Sequence, residues 1–118
     1  DSVAGLVPRD ELDGMVNDGT VGLAARMMSK AMRKLGTVVS RTDATVLFLN
    51  RIVRREGVTF GPSETTTGGN ALKYYASVRV EVRGRANHGR AKVVKNKLAP
   101  PFRTADIDLR SQADIDAD

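Results

Sequence analysis

The stretch Phe60-Gly61-Pro62-Ser63-Glu64-Thr65-Thr66-Thr67-Gly68-Gly69-Asn70-Ala71-Leu72-Lys73 sets three consecutive threonines and two glycines just ahead of a helix-prone segment. Glycines let the backbone turn, and hydroxyl and N–H groups converging before a helix can hold one anion, which makes a polyanion the natural partner. The same residue types also build an ordinary helix cap and turn. The flanks weigh toward the first reading. Ahead lies Thr45-Val46-Leu47-Phe48-Leu49, a near-continuous apolar run of the kind that forms a strand buried on both faces in a parallel sheet. It leads into Arg51, Arg54 and Arg55. Behind lie Tyr74-Tyr75-Ala76-Ser77 and the alternating Val78-Arg79-Val80-Glu81-Val82-Arg83.

Working outward, residues 50–69 read as a loop of about twenty residues, a length that inside a compact domain is either functional or disordered. With Gly57, Gly61, Pro62, Gly68 and Gly69 in it, mobility until a ligand orders it is expected. Asn70 to Ala76 reads as a short helix. Ser77 to Arg83 predicts a half-buried strand with Val78, Val80 and Val82 inward and Arg79, Glu81 and Arg83 outward. Gly84 to Gly89 connects it to a strand from Arg90 to Leu98 as an antiparallel hairpin, and Pro100-Pro101 precedes a last strand from Phe102 to Leu109. Toward the amino end, Pro8 to Leu12 predicts one helical turn. From Val21 to Val39 the period is helical: Ala24, Met27, Met28, Ala31 and Leu35 share one arc, and Arg26, Ser29, Lys30, Arg33 and Lys34 the opposite one. That cationic face is either a solvated surface or a seat for an anion.

Composition narrows the classes. The chain has 118 residues and a formal charge of +5, enough for one domain and favourable to an acidic partner. There is no cysteine, so a disulfide framework, a cysteine metal site and a cysteine nucleophile are excluded. His88, the one histidine, lies beside Gly89 and reads as a solvated turn residue. No apolar stretch approaches the roughly 20 residues that span a bilayer, and no signal-peptide pattern opens the chain, so a cytoplasmic location without membrane partners is the expectation. Asp1-Ser2-Val3-Ala4 reads as the tail of a strand rather than a natural beginning. The phosphate-cradling G-x-x-x-x-G-K-[ST] run is absent.

The order of these motifs resembles the bacterial RecA recombinase family: apolar strand, basic loop, ETTTGG, NALK, YASVR, then VVKNK. The resemblance runs from Asp1 to about Asp108. It implies an α/β fold: a partial RecA-like P-loop NTPase core, a mixed sheet with parallel strands followed by an antiparallel hairpin, and helices packed on the sheet. Residues 1–109 would be the second half of that core, with the phosphate loop upstream, and 110–118 an acidic, disordered tail. The family function is ATP-dependent filament formation on single-stranded DNA, with pairing to double-stranded DNA and strand exchange in repair, recombination and the SOS response to DNA damage. A LexA-like repressor would be a further partner. The family is a DNA-dependent ATPase, but this chain alone lacks the phosphate loop. The alternative is a non-catalytic DNA-binding or filament-interaction module.

By resemblance, Asp1 holds the magnesium ion of the bound ATP, with Ser2 beside it, and Arg51 stands where the family senses the terminal phosphate with Gln. Lys95 and Lys97 reach the ATP phosphates of a neighbouring subunit. DNA contact falls to two loops, 13–21 and 50–69, and the helix after the first: Val21, Arg26, Ser29, Arg33, Arg54, Arg55, Thr65, Gly68, Gly69 and Asn70. Phe60, Lys73 and Arg79 match positions that couple loop to interface. Arg51, Val53, Glu56 and a shortened hairpin depart from the family pattern, and the Arg51 change puts ATP control of the second loop in doubt.

Overall fold

The computed structural model describes residues 2–14, 22–54, 57, 59–85 and 87–110. The expectations for Asp1, Val21, Arg55, Glu56 and the acidic tail beyond Arg110 therefore lie outside the described residues. The chain divides into two units, Asp1–Tyr75 and Ala76–Asp118.

In the first unit a single 3-10 turn, Val3–Gly5, is capped by Ser2, whose Oγ accepts from the Ala4 N–H at 3.3 Å. Helix α1 (Arg9–Asp13) starts directly after Pro8, where a fixed φ and a missing donor cost nothing. Helix α2 (Leu23–Val39) bears out the amphipathic reading. Met28 and Met32 are buried, Met27 and Ala31 pack beside them, and Val3, Phe48, Ala71 and Leu72 complete the cluster. Each of the two buried methionines is worth roughly 1.5–3 kcal/mol of burial. Strands β1 (Ile52–Arg54) and β2 (Glu64–Thr66) pair antiparallel, with Arg54 opposite Glu64, Val53 opposite Thr65 and Ile52 opposite Thr66. Helix α3 (Ala71–Tyr75) follows and packs on α2.

Two expectations change here. The run 44–49 is not a strand: Leu47 is 83% exposed, and the parallel pairing is reduced to one bridge between Ser2 and Leu49, with the Val3 N–H donating to the Leu49 carbonyl at 2.9 Å. An apolar run becomes a doubly buried strand only when ladders and layers flank it. Among the described residues only the Ser2–Val3 segment runs alongside it. The second change is that the predicted loop 50–69 contains the β1–β2 ribbon, which its β-branched Ile52, Val53, Thr65 and Thr66 favour.

The second unit is a three-stranded antiparallel sheet, ordered β3 (Val78–Arg85), β4 (His88–Asn96), β5 (Thr104–Asp108). The hairpin is as expected, but pairing continues through Gly84↔Gly89 and Arg85↔His88, so the connection is tighter than the predicted turn. A Cβ on Gly89 would lie 2.9 Å from Leu109 Cγ, so the glycine lets Leu109 close over this end of the sheet. The inward valines are a correction: Val78, Val80 and Val82 are 43%, 53% and 52% exposed, whereas Arg79 and Glu81 are half-buried. The alternation is real, yet an apolar sheet face is buried only by a second layer, and this unit has no described helix to supply one.

Candidate nucleic-acid interface

The Thr67–Asn70 turn is built against α2. Gly68 and Gly69 have φ of 81° and 74°, in the left-handed region that glycine enters without a Cβ penalty. Neither has room for a side chain. A Cβ on Gly69 would stand 2.7 Å from Ala25 Cβ, and one on Gly68 would stand 3.1 Å from both Met28 Cγ and Val3 Cγ1. The turn thus rests on the residue that precedes Arg26 in α2.

Side chains fix the rest of the turn. Asn50 Oδ1 accepts from Thr67 Oγ1 at 2.6 Å and from the Arg51 N–H at 2.9 Å, while Asn50 Nδ2 donates to the Thr67 carbonyl at 3.0 Å. This ties the two ends of segment 51–66 together just beyond the β1–β2 ladder. Lys73 Nζ donates to Thr65 Oγ1 at 3.3 Å, joining α3 to β2.

Beside the turn, Ala25, Arg26, Ser29, Lys30 and Arg33 line a shallow concavity on α2. None of its three cations takes part in an ion pair among the described residues. Ser29 Oγ donates back to the Ala25 carbonyl at 2.9 Å, which leaves its lone pairs but not its proton for a ligand. Gly69 therefore meets α2 at Ala25, which also lines the concavity with Arg26, Ser29 and Arg33. A row of unpaired cations next to a bend of exposed or half-exposed backbone suits a phosphate chain.

Other predicted positions stand apart. Arg54 lies opposite Glu64 with 4.0 Å between Nε and Oε1, a long contact on an exposed side chain. Arg51 is exposed, and Phe60, at 93%, is the most exposed of the large apolar side chains described. Ser2 sits beside Leu49, one residue from Asn50. Lys73 is engaged with Thr65. In the second unit, Arg79 pairs in register with Lys95, and Lys97 follows the end of β4 with its N–H on the Ser77 carbonyl at 2.9 Å. Burial, and then the charges of Lys97 and Arg79, hold the Lys95 ammonium below its ordinary range. An anion among these three cations would relieve that repulsion.

Among the described residues no group of three or more His, Asp or Glu side chains could hold a metal ion, and Asp1, the residue expected to meet magnesium, lies outside them. The three cations form one positive cluster at this end of the β3–β4 ladder. No described helix is long and apolar enough to cross a membrane. Sequence reasoning missed the tie between Asn50 and Thr67. Asn50 and Thr67 are distant in sequence and meet only through the ribbon register, and no local pattern announces that pairing.

The RecA N-terminal domain model matches residues 1–116. The chain is 54% identical to the protein RecA of Acidiphilium cryptum and 54% to that of Paramagnetospirillum magnetotacticum, and 52% to protein RecA 1 of Myxococcus xanthus. Each comparison covers 92% of this chain and 35% of the relative, so the chain spans about a third of the length of the curated relatives it matches.

Proposed function

The chain belongs to the RecA family, and from that premise we propose that it is the DNA-gripping, subunit-contacting part of a recombinase core. Within the RecA N-terminal domain it takes the later half, with the phosphate loop supplied by a segment this sequence does not contain. The observation that carries the reading is the Gly68–Gly69 turn seated at Ala25, the residue that also lines the cationic concavity with Arg26, Ser29 and Arg33. Such a site grips phosphates without reading bases, as a protein that accepts any single strand requires.

The parent protein would assemble as an ATP-dependent filament on single-stranded DNA, pair it with double-stranded DNA and promote strand exchange in cytoplasmic repair and recombination, with SOS signalling through a LexA-like repressor. Lys95 and Lys97, with Arg79 beside them, would meet the phosphates of a neighbour's ATP. Asp1 and Ser2 would belong to the nucleotide and magnesium site, and Phe60, Lys73 and Arg79 to its coupling with the loop. Val21, Arg54 and Arg55 extend the DNA surface in this reading.

A titration of labelled oligo-dT with the full chain tests the core claim. Binding that weakens with salt is expected, and no binding at low salt would overturn it. The second reading, a DNA-binding module without ATPase activity, is favoured by Arg51 standing where the family has Gln. ATP hydrolysis by the protein stimulated by single-stranded DNA would exclude it.

A further inference from the structure

We propose that the phosphate track on α2 continues past Arg33 to the carboxyl end of the helix, where Arg41 and Tyr75 form a further subsite for one phosphate and one stacked base of single-stranded nucleic acid. The proposal rests on the strand-binding reading above.

A second concavity, lined by Arg33, Gly36, Thr37, Ser40, Arg41 and Tyr75, adjoins the first and shares Arg33 with it. On a helix, Arg26, Ser29, Arg33, Thr37 and Ser40 fall on one face. Ala25 and Gly36 lie on the flank of that face, about three turns apart. Gly69 rests on Ala25, and the Tyr75 ring approaches Gly36, with Cδ1 and Cε1 each 3.8 Å from where a Cβ would stand. The turn and α3 therefore border one continuous groove, and the small residues of α2 keep it open.

Every ionisable group lining the groove, Tyr75 apart, is a cation, and Arg33 and Arg41 enter no ion pair among the described residues. The hydroxyls cannot replace them. Thr37 Oγ1 donates to the Arg33 carbonyl and Ser40 Oγ to the Thr37 carbonyl, both at 3.1 Å, so their protons are committed. The backbone cannot either, because a helix carboxyl end is electronegative and the Ser40 and Arg41 N–H groups already donate to Gly36 and Val38. Anion binding at this end thus depends on Arg41. Tyr75 is 48% exposed, which leaves ring surface for a base, and stacking of this kind tolerates any sequence.

The chain has two tyrosines and no tryptophan, so in a Tyr74→Phe protein the emission of Tyr75 reports its own surroundings. Oligo-dT titrations over a salt series compare this protein with Arg26→Ala, Arg41→Ala and Lys34→Ala; Lys34 lines neither concavity. Arg41→Ala is expected to weaken binding and to flatten the slope of log K against log salt by about 0.7, as one lost phosphate contact does. Lys34→Ala is expected to leave the slope in place, and Tyr75 emission to be quenched on binding. Tyr75→Leu should weaken binding about fivefold or more without changing the slope, and Tyr75→Phe should restore it. If the unsubstituted chain binds and Arg26→Ala weakens it, but Arg41→Ala matches Lys34→Ala or Tyr75 emission is unchanged, the subsite is overturned and the DNA-binding reading stands. If the unsubstituted chain does not bind, both fall.

Discussion

Gly69 is the residue on which the candidate site turns. It combines a left-handed φ with a Cβ position 2.7 Å from Ala25 Cβ, so Gly69→Ala meets both backbone strain and a clash. Such combinations cost about 1–3 kcal/mol. We expect a lowered urea midpoint, together with oligo-dT binding reduced beyond what the lost stability explains, because the turn is displaced from Arg26. A midpoint equal to that of the unsubstituted chain would show that the turn does not rest on α2. Asn50 makes a second test at this scale. Asn50→Ala removes both of its hydrogen bonds to Thr67, which at an exposed site is worth about 1 kcal/mol. Hydrogen exchange in β1 and β2 should speed up in this variant, and unchanged protection would show that the ladder closes the segment unaided. The Thr-Gly-Gly chemistry of the turn was legible in the sequence. The Asn50–Thr67 tie was not, because it depends on a strand register that no local spacing encodes.

Among the elements, α2 was the most legible, since a sustained 3.6-residue period names both of its faces: Met28 is buried on the expected arc with Met27 and Ala31 packed beside it, although the buried face also takes in Met32, outside that arc, and leaves Leu35 exposed. The segment 44–49 and the valines of β3 were misjudged for one reason. Periodicity says which face of an element is apolar, but only neighbouring layers decide whether that face is buried, and layering is not a local property. At the far end of the second sheet, Arg110 closes β5: its backbone N–H donates to Asp108 Oδ1 at 2.9 Å and its Nε to Oδ2 at 2.8 Å. The backbone N–H first, and then the guanidinium, hold the Asp108 carboxyl below its ordinary value. A depressed carboxyl stabilises the fold above its unfolded pKa, near 3.8, and that contribution disappears as the pH falls through the lower folded value. Protection of the β5 amides, taken against intrinsic exchange at each pH, should therefore fall between mildly acidic pH and a pH below that of a free carboxyl. Asp108→Asn should remove that acid step. An identical acid profile in the variant would place the titration elsewhere. Lys95 is depressed as well, so stability again rises with pH, but here because a penalty is relieved rather than because a stabilising charge is gained. With its pKa depressed, the folded chain bears a repulsion at neutral pH that fades as the pH rises through the folded value toward the unfolded one, and a bound phosphate should shift that transition upward.

At the scale of the molecule, only Val3, Met28, Met32 and Ala71 are buried apolar side chains among the described residues, while Leu47, Phe60, Tyr74 and Leu98 are more than 70% exposed. A chain that leaves this much apolar surface uncovered is suited to being one part of a larger assembly. The sequence carried the family through the order of its motifs, and it marked both the cationic face and the glycine turn. It did not reveal that the turn meets α2 at Ala25, the contact on which the proposed site rests. The most direct test of that site is a salt series of oligo-dT titrations with the full chain and its Arg26→Ala and Arg33→Ala variants. We predict that log K falls linearly with log salt, that each substitution flattens the slope by about 0.7, and that the loss is the same for oligo-dT and for mixed-sequence strands. Slopes that do not change on substitution, or losses confined to particular sequences, would contradict the account.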